Sequence, residues 1–311
     1  MQTEKLIVIG SGPAGFAAAL YTGRAGLKPL VLSGLEMGGQ ISLTYDVDNY
    51  LGFPKGTTGP DLIELMTSHV KKFDARLQFE EVTEVDFTSG PPFKVSTHAQ
   101  QYEADAVVVA TGASPRRLKV PGEEKYIGHG ISFCATCDGF FFRDKDVLVI
   151  GGGDSAIEES LFLTKFARRI RVVHRRDELR AGEQLKRAAF DHEKIEFVWD
   201  TVVEEVLGED KVTGVKVKNV KTGAVSELKT DGIFIFIGHY PNSKLFQGQL
   251  EMDPEGYVRT DERMMTTVPG VFAAGEIQDK LYRQIATSVG QGSGAGIMAD
   301  RWLREQGRAG T

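Results

Sequence analysis

Hydrophobic residues gather in short β-branched runs, each followed by glycines and then by apolar residues at helical spacing. Leu6-Ile7-Val8-Ile9 has no polar residue to give it a wet face, which marks a parallel strand buried on both sides. Gly10-Ser11-Gly12-Pro13-Ala14-Gly15 follows, Phe16 to Tyr21 reads as a helix, and Pro29-Leu30-Val31-Leu32 is a second strand. That is a βαβ unit. The same order returns at Asp146-Val147-Leu148-Val149-Ile150, with the turn Gly151-Gly152-Gly153-Asp154-Ser155-Ala156, a helix from Ile157 to Phe166 and the strand Arg171-Val172-Val173. Between them lie a polar, glycine-rich loop over 33–58, a helix over 59–73 (Leu62, Ile63, Leu65, Met66, Val70), strand-like alternation over 78–95 and the buried strand Ala106-Val107-Val108-Val109-Ala110. Strand patterns resume over 195–237. The C-terminal part holds a strand from Gly270 to Gly275 and a last helix ending near Trp302.

Two βαβ patterns in one chain predict an α/β fold with two Rossmann-like dinucleotide-binding domains, built on parallel sheets with a small antiparallel crossover sheet. Stretches 114–124 and 238–242 read as linkers. The strand Val271-Phe272-Ala273 has no partner in the second pattern, so it returns to the first. The expected domains are therefore residues 1–116 joined by 243–311, and 117–242 as an insert. The chain has 311 residues, about two domains at the usual size. Its net charge of −6 gives no general attraction for nucleic acid or an anionic membrane. No apolar run approaches the ~20 residues of a membrane span, and the N-terminus lacks a signal-peptide layout, so a cytoplasmic location is expected.

Three motifs carry chemistry. Gly10-x-Gly12-x-x-Gly15, between strand and helix, fits the dinucleotide fingerprint: a tight turn, a close backbone approach to a pyrophosphate, and close helix–strand packing. An acidic ribose partner often ends the second strand. Here Ser33 stands there, and Glu36 is the nearest carboxylate. Gly151-x-Gly153-x-x-Ala156 is the accepted variant with Ala at the packing position. Beyond its second strand come His174-Arg175-Arg176 and then Arg180, where the adenosine ribose would lie. Cations there suit a 2′-phosphate, hence NADPH over NADH. Third, the chain's two cysteines form Cys134-Ala135-Thr136-Cys137, followed by Asp138. The pair reads as a redox dithiol or as two buried structural thiols. A second ligand pair is missing, so no metal is expected. Asp138 is placed to hold or deliver a proton for a leaving thiolate. A hydride donor and a dithiol usually need a flavin between them, so the combination reads as FAD, NADPH and a redox disulfide in one chain.

These motifs, with Gly38-Gly39-Gln40, Ala110-Thr111-Gly112-Ala113, Gly238-His239, Pro269 to Gly275 and Tyr282-Arg283-Gln284, make the sequence resemble low-molecular-weight thioredoxin reductases over nearly its whole length. The resemblance implies a homodimer that passes electrons from NADPH through FAD to its own CxxC and on to thioredoxin, one domain swinging against the other. In that family the second cysteine, here Cys137, lies nearer the flavin, and the first, Cys134, attacks the partner disulfide; Asp138 matches the family's acid. The implied FAD site takes Gly10, Gly12, Pro13, Ala14, Gly15, Glu36, Gly39, Gln40, Asn49, Ala110, Thr111, Gly112, Gly275, Glu276, Arg283, Gln284, Ile285 and Ala286. The implied NADPH site takes Gly153, Asp154, Ser155, Ala156, His174, Arg175, Arg176 and Arg180. Glu276 stands where the family usually has Asp, and Leu51 where Pro is common, which predicts an altered flavin affinity or potential rather than a lost reaction. The competing readings are a related flavin disulfide reductase with another donor or acceptor, and a nucleotide-binding sensor without turnover.

Overall fold

The computed structural model describes residues 2–44 and 46–308. The chain forms two compact units, one from residues up to 43, 50–114 and 240 onward, the other from 44–49 and 115–239. The crossing points, 114/115 and 239/240, lie slightly before those expected at 116/117 and 242/243. They fall inside two three-residue strands, Ala113–Pro115 and His239–Pro241, which pair with each other.

The first unit opens with β1 (Gln2–Ile9), α1 (Pro13–Arg24), β2 (Leu30–Leu32), α2 (Gly59–Lys71), β3 (Arg76–Gln78), β4 (Val82–Asp86), β5 (Phe93–Thr97) and β6 (Gln101–Val109). The second unit holds β7 (Ile131–Ser132), α3 (Ala135–Asp138), β8 (Asp146–Ile150), α4 (Asp154–Leu163), β9 (Arg169–Val173), α5 (Glu183–Phe190) and β10 (Ile195–Val198). It continues with β11 (Thr201–Gly208), β12 (Val212–Asn219), β13 (Val225–Lys229) and β14 (Gly232–Ile235). Back in the first unit come β15 (Val271–Ala273) and α6 (Ile285–Glu305).

In the first unit the strand order is β3-β2-β1-β6-β5-β4. β6 divides its free edge: its first residues pair antiparallel with β5, and Val107 to Val109 pair parallel with β15. The C-terminal strand thus returns to the first sheet, as its lack of another partner implies. The second unit has a fully parallel sheet, β7-β14-β8-β9-β10, and a separate antiparallel sheet, β11-β12-β13. The apolar runs are continuous because alternate residues feed different cores. Leu6 and Val8 pack on the α1 and α6 side, while Ile7 and Ile9 join Phe87, Phe93 and Phe246 on the other. Val147 and Val149 likewise separate from Leu148 and Ile150.

Local signals set the helix ends. Thr58 caps α2 by accepting the Asp61 N–H at 3.2 Å, with Asp61 in the first turn and Lys71 in the last. α5 falls in a stretch where no helix is expected from sequence, because Leu185 and Ala189 give it only a thin apolar stripe. β9 starts at Arg169, two residues earlier than expected, since Asp146 of β8 pairs with Arg169 and β10 joins at Ile170.

α6 crosses α1 at near-backbone distance. A Cβ on Gly292 would lie 2.1 Å from Ala14 O, and one on Gly296 2.8 Å from Ala18 O. Gly290, in the same helix, faces open space. Gly292→Ala should therefore cost about 1–3 kcal/mol in urea unfolding by overpacking, while Gly290→Ala should gain about 0.5–1 kcal/mol from helix propensity. Equal effects of the two substitutions would refute this account of the crossing.

Candidate active site

The dithiol turn lies in the second unit. Cys134 and Cys137 are joined in a disulfide, with Cα atoms 5.3 Å apart. Cys134 has an extended backbone and caps the single-turn helix α3, its Sγ accepting the Cys137 N–H at 3.1 Å. Ser132 brackets the same residue: its Oγ accepts the Cys134 N–H at 3.1 Å and donates to the Cys134 carbonyl at 3.2 Å. Glu159 of α4 accepts the Ala135 N–H at 3.1 Å. Burial pushes the Asp138 carboxyl above its usual range; a hydrogen bond from Ser132 opposes this and the charge of Asp46 adds to it. Sequence reasoning singles out Cys134, Cys137 and Asp138 but misses Ser132, which is local yet carries no signature, and Glu159, which only the tertiary fold brings to the turn.

The second glycine turn is in the same unit. A Cβ on Gly151 would meet Phe236 O at 2.4 Å and Ala156 Cβ at 2.7 Å, so strand end and helix start are in near contact. A Cβ on Gly153 would meet nothing within 4 Å, and α4 begins behind it without a side-chain cap. The Asp154 carboxylate turns aside to accept the Gly182 N–H at 2.8 Å. His174, at the end of β9, is buried, with its ring against Gly152 and edge-on to Trp199. Burial above all, and then the charges of Arg180, Arg176 and Arg175, push its pKa down against a backbone hydrogen bond at Glu178. Its Nε2 is buried and has no partner among the described residues.

Beyond His174 opens a cleft of about 510 Å³ lined by Arg175, Arg176, Arg180 and Lys221, with Asp177 and Asp200. Lys221 is committed to Asp177 at 2.6 Å and Asp200 at 3.1 Å. Among the described residues, none of the three arginines pairs with a carboxylate.

In the first unit, a Cβ on Gly10 would lie 2.3 Å from Ala110 O and one on Gly15 2.0 Å from Gly10 O. Gly12, the residue before α1, faces open space. The first turn of α1 has no acidic residue and no side-chain cap, so its N–H groups are left for an anion. The Gly38 N–H donates to Ser11 Oγ at 3.1 Å, and a Cβ on Gly39 would be 3.8 Å from Gly12 Cα, so this segment folds over the glycine turn. Glu36 stays exposed. Thr111 and Asn242 exchange hydrogen bonds beside Gly112. Asn49 lies in the 44–49 segment, which groups with the second unit.

Gly275 meets the same place from the C-terminal side, since its Cβ would be 2.8 Å from Ala14 Cβ. Its N–H donates to Gln291 Oε1, whose amide donates in turn to Asp279. Asp279 also accepts the Leu281 and Tyr282 N–H groups and so anchors the loop that carries Arg283 in the left-handed region (φ 50°). Arg283 donates to the Tyr257 hydroxyl at 3.4 Å. Gln284 precedes Ile285 and Ala286, and the first turn of α6 also lacks an acid.

Glu276 sits inside this cluster. Burial raises its carboxyl to about 7, with Arg283 lowering it and Asp279 raising it. A carboxyl whose folded pKa lies above its unfolded value costs nothing below about 4.5 and progressively more up to about 7. The ligand-free protein should therefore lose stability, on the order of 3 kcal/mol, as pH rises from 4.5 to 7, and Glu276→Gln should flatten that slope. Denaturant unfolding of both proteins across this range checks the sign; a slope unchanged in the variant would refute it.

The chain matches the family described as pyridine nucleotide-disulphide oxidoreductase over residues 4–292. It is 49% identical to the thioredoxin reductase of Mycolicibacterium smegmatis over 302 residues, covering 97% of each chain. The crystal structure of thioredoxin reductase from Streptococcus pyogenes MGAS5005 is 43% identical and superposes with a TM-score of 0.94, covering 97% of this chain and 99% of the other. The Lactococcus lactis thioredoxin reductase in its FR conformation is 41% identical with the same coverage, at a TM-score of 0.66. With two glycine turns and a disulfide turn in the expected chemical setting, the chain belongs to the pyridine nucleotide-disulphide oxidoreductase family, among its thioredoxin reductases.

Proposed function

We propose that this protein reduces the disulfide of thioredoxin with NADPH, using FAD and its own Cys134–Cys137 pair, as a cytoplasmic homodimer. In balance, NADPH, one proton and the thioredoxin disulfide give NADP⁺ and the thioredoxin dithiol. The observation that carries the reading is the placement of the disulfide turn, the Gly151 to Ala156 turn and the three-arginine cleft on one unit, with the Gly10 to Gly15 turn on the other. Bound FAD supplies the carrier that takes a hydride from a nicotinamide and passes an electron pair to sulfur.

The residues fit both groups. The open approaches at Gly12 and Gly153 leave room for pyrophosphate, and the unpartnered His174 Nε2 and free guanidiniums suit an adenosine 2′-phosphate. The NADPH residues would be Gly153 to Ala156, His174, Arg175, Arg176 and Arg180. The FAD residues would be Gly10 to Gly15, Glu36, Gly39, Gln40, Asn49, Ala110 to Gly112, Gly275, Glu276 and Arg283 to Ala286. Cys137 would receive the electrons, and Cys134 would attack thioredoxin to form the mixed disulfide that Cys137 resolves. Asp138, whose burial favours its protonated form, would give the proton to the leaving thiolate.

Cysteines and nicotinamide site share one unit and must both reach one flavin. If they need the same face of it, they take turns, which calls for rotation at the connections near 114 and 240. Relatives of nearly equal identity but TM-scores of 0.94 and 0.66 support units that move as bodies.

Anaerobic NADPH should bleach the flavin of both wild type and Cys137→Ser, whereas only wild type should reduce thioredoxin; no turnover with any thioredoxin would overturn the function. Arg176→Ala or Arg180→Ala should raise the KM for NADPH roughly ten- to a hundredfold, the worth of a charge-assisted hydrogen bond, and leave NADH unaffected. Equal losses with both nucleotides would count against the 2′-phosphate site and favour another donor. A cross-link between the two connections should stop turnover while FAD stays bound; retained turnover would exclude rotation.

A further inference from the structure

Glu159 is half-buried on α4, a helix of the nucleotide-binding βαβ, yet its carboxylate reaches out of that motif to the dithiol turn. The N–H it accepts belongs to Ala135, which is completely buried and directly follows Cys134. A carboxylate oxygen therefore stands one peptide unit from the first sulfur-bearing residue. The rest of the turn is arranged the other way: Cys137 N–H donates to Cys134 Sγ, an arrangement that favours negative charge on that sulfur. In the disulfide neither sulfur carries a charge that would repel the carboxylate. After reduction, the carboxyls around a Cys134 thiolate include Glu159, bonded to the N–H of the next residue, Asp138, four residues on in the same turn, and Asp46, whose charge acts on Asp138. Burial raises the Asp138 carboxyl above its usual range, and Glu159 is the carboxylate bonded to the amide next to Cys134.

We propose that Glu159 is a positioning residue for the redox pair, pinning the CxxC turn to α4 through the Ala135 N–H and using its charge to keep the reduced Cys134 as a thiol at neutral pH. The proposal rests on Cys134–Cys137 being the redox pair. It separates two duties. The hydrogen bond fixes where the sulfurs stand, and the charge limits how readily Cys134 is captured by oxidants or electrophiles before a partner disulfide arrives.

The test uses the holoenzyme with its disulfide reduced by two equivalents of glutathione thiol per pair, which breaks one S–S bond and forms one glutathione disulfide. Iodoacetamide capture at Cys134 is then followed against pH by peptide mass analysis, in wild type, Glu159→Gln and Glu159→Ala. Gln keeps an acceptor oxygen and removes the charge; Ala removes both. Both variants should shift the Cys134 titration down by about one pH unit. That raises the thiolate fraction about tenfold below the midpoint, and the accompanying fall in nucleophilicity leaves capture roughly threefold faster. In the oxidised protein, hydrogen exchange at the Ala135 amide should stay slow in the Gln variant and accelerate in the Ala variant. An unmoved Cys134 titration in Glu159→Gln would overturn the electrostatic role, and an unchanged Ala135 exchange in Glu159→Ala would overturn the positioning role. Neither readout uses NADPH or thioredoxin, so failure of the proposed function in turnover assays remains a separate result.

Discussion

The structure depends on how closely a helix start can be pressed onto the end of its own strand. At Gly15 any side chain would enter the Gly10 carbonyl, and at Gly10 it would enter that of Ala110. With both positions bare, α1 leaves β1 at once, and its first N–H groups face outward with no side chain of their own to bond. The second unit solves the same problem with one extra carbon. Ala156 already carries the Cβ that fills the space beside Gly151, so there the strictness moves to Gly151 itself. The later charge arrangements rest on this geometry, because an anion can be held at these turns only if the backbone is exposed and fixed.

Around the two turns the electrostatics differ in kind. The first unit presents helix starts free of acids, at α1 and α6, and puts its buried carboxyls, Asp279 and Glu276, to unlike uses. Asp279 spends both oxygens on backbone and amide donors and so shapes the Arg283 loop, whereas Glu276 is raised by burial toward its neutral form. The second unit gathers cations. Asp177 and Asp200 neutralise Lys221, which leaves the neighbouring arginines to define the positive field of the cleft. A planar guanidinium suits a phosphate better than an ammonium does, since it offers two parallel donors.

Much of this is legible in the sequence because it is local. Runs such as Leu6 to Ile9 and Val147 to Ile150 announce strands buried on both faces, and glycine spacing announces the turns. The Cys134–Cys137 spacing suffices for a disulfide. What escapes is what depends on distant partners. α5 escapes because its apolar stripe is thin, and β9 begins early because β8 pairs with Arg169 and β10 with Ile170. Asn49 enters the first nucleotide site only through the family resemblance, and its 44–49 segment groups with the second unit, which no local pattern announces. Ser132 is two residues from Cys134 but carries no signature. Glu159 is 24 residues from the Ala135 amide, and its role is set by the angle at which α4 passes the turn.

The redox turn shows why a dithiol belongs on a nucleotide-binding unit at all. A four-residue helix has too few internal hydrogen bonds to hold two sulfurs in register, so its orientation must come from a larger body. Here α4 provides it: the same helix that begins at the second glycine turn also carries Glu159 to the Ala135 amide. The segment before α3 is tied by Ser132, and a Cβ on Gly139 after it would lie 3.1 Å from the Leu163 side chain, near the end of α4, so a larger residue there would crowd that contact. The disulfide turn and the second glycine turn thus share one element, α4, so any displacement of that helix carries both together.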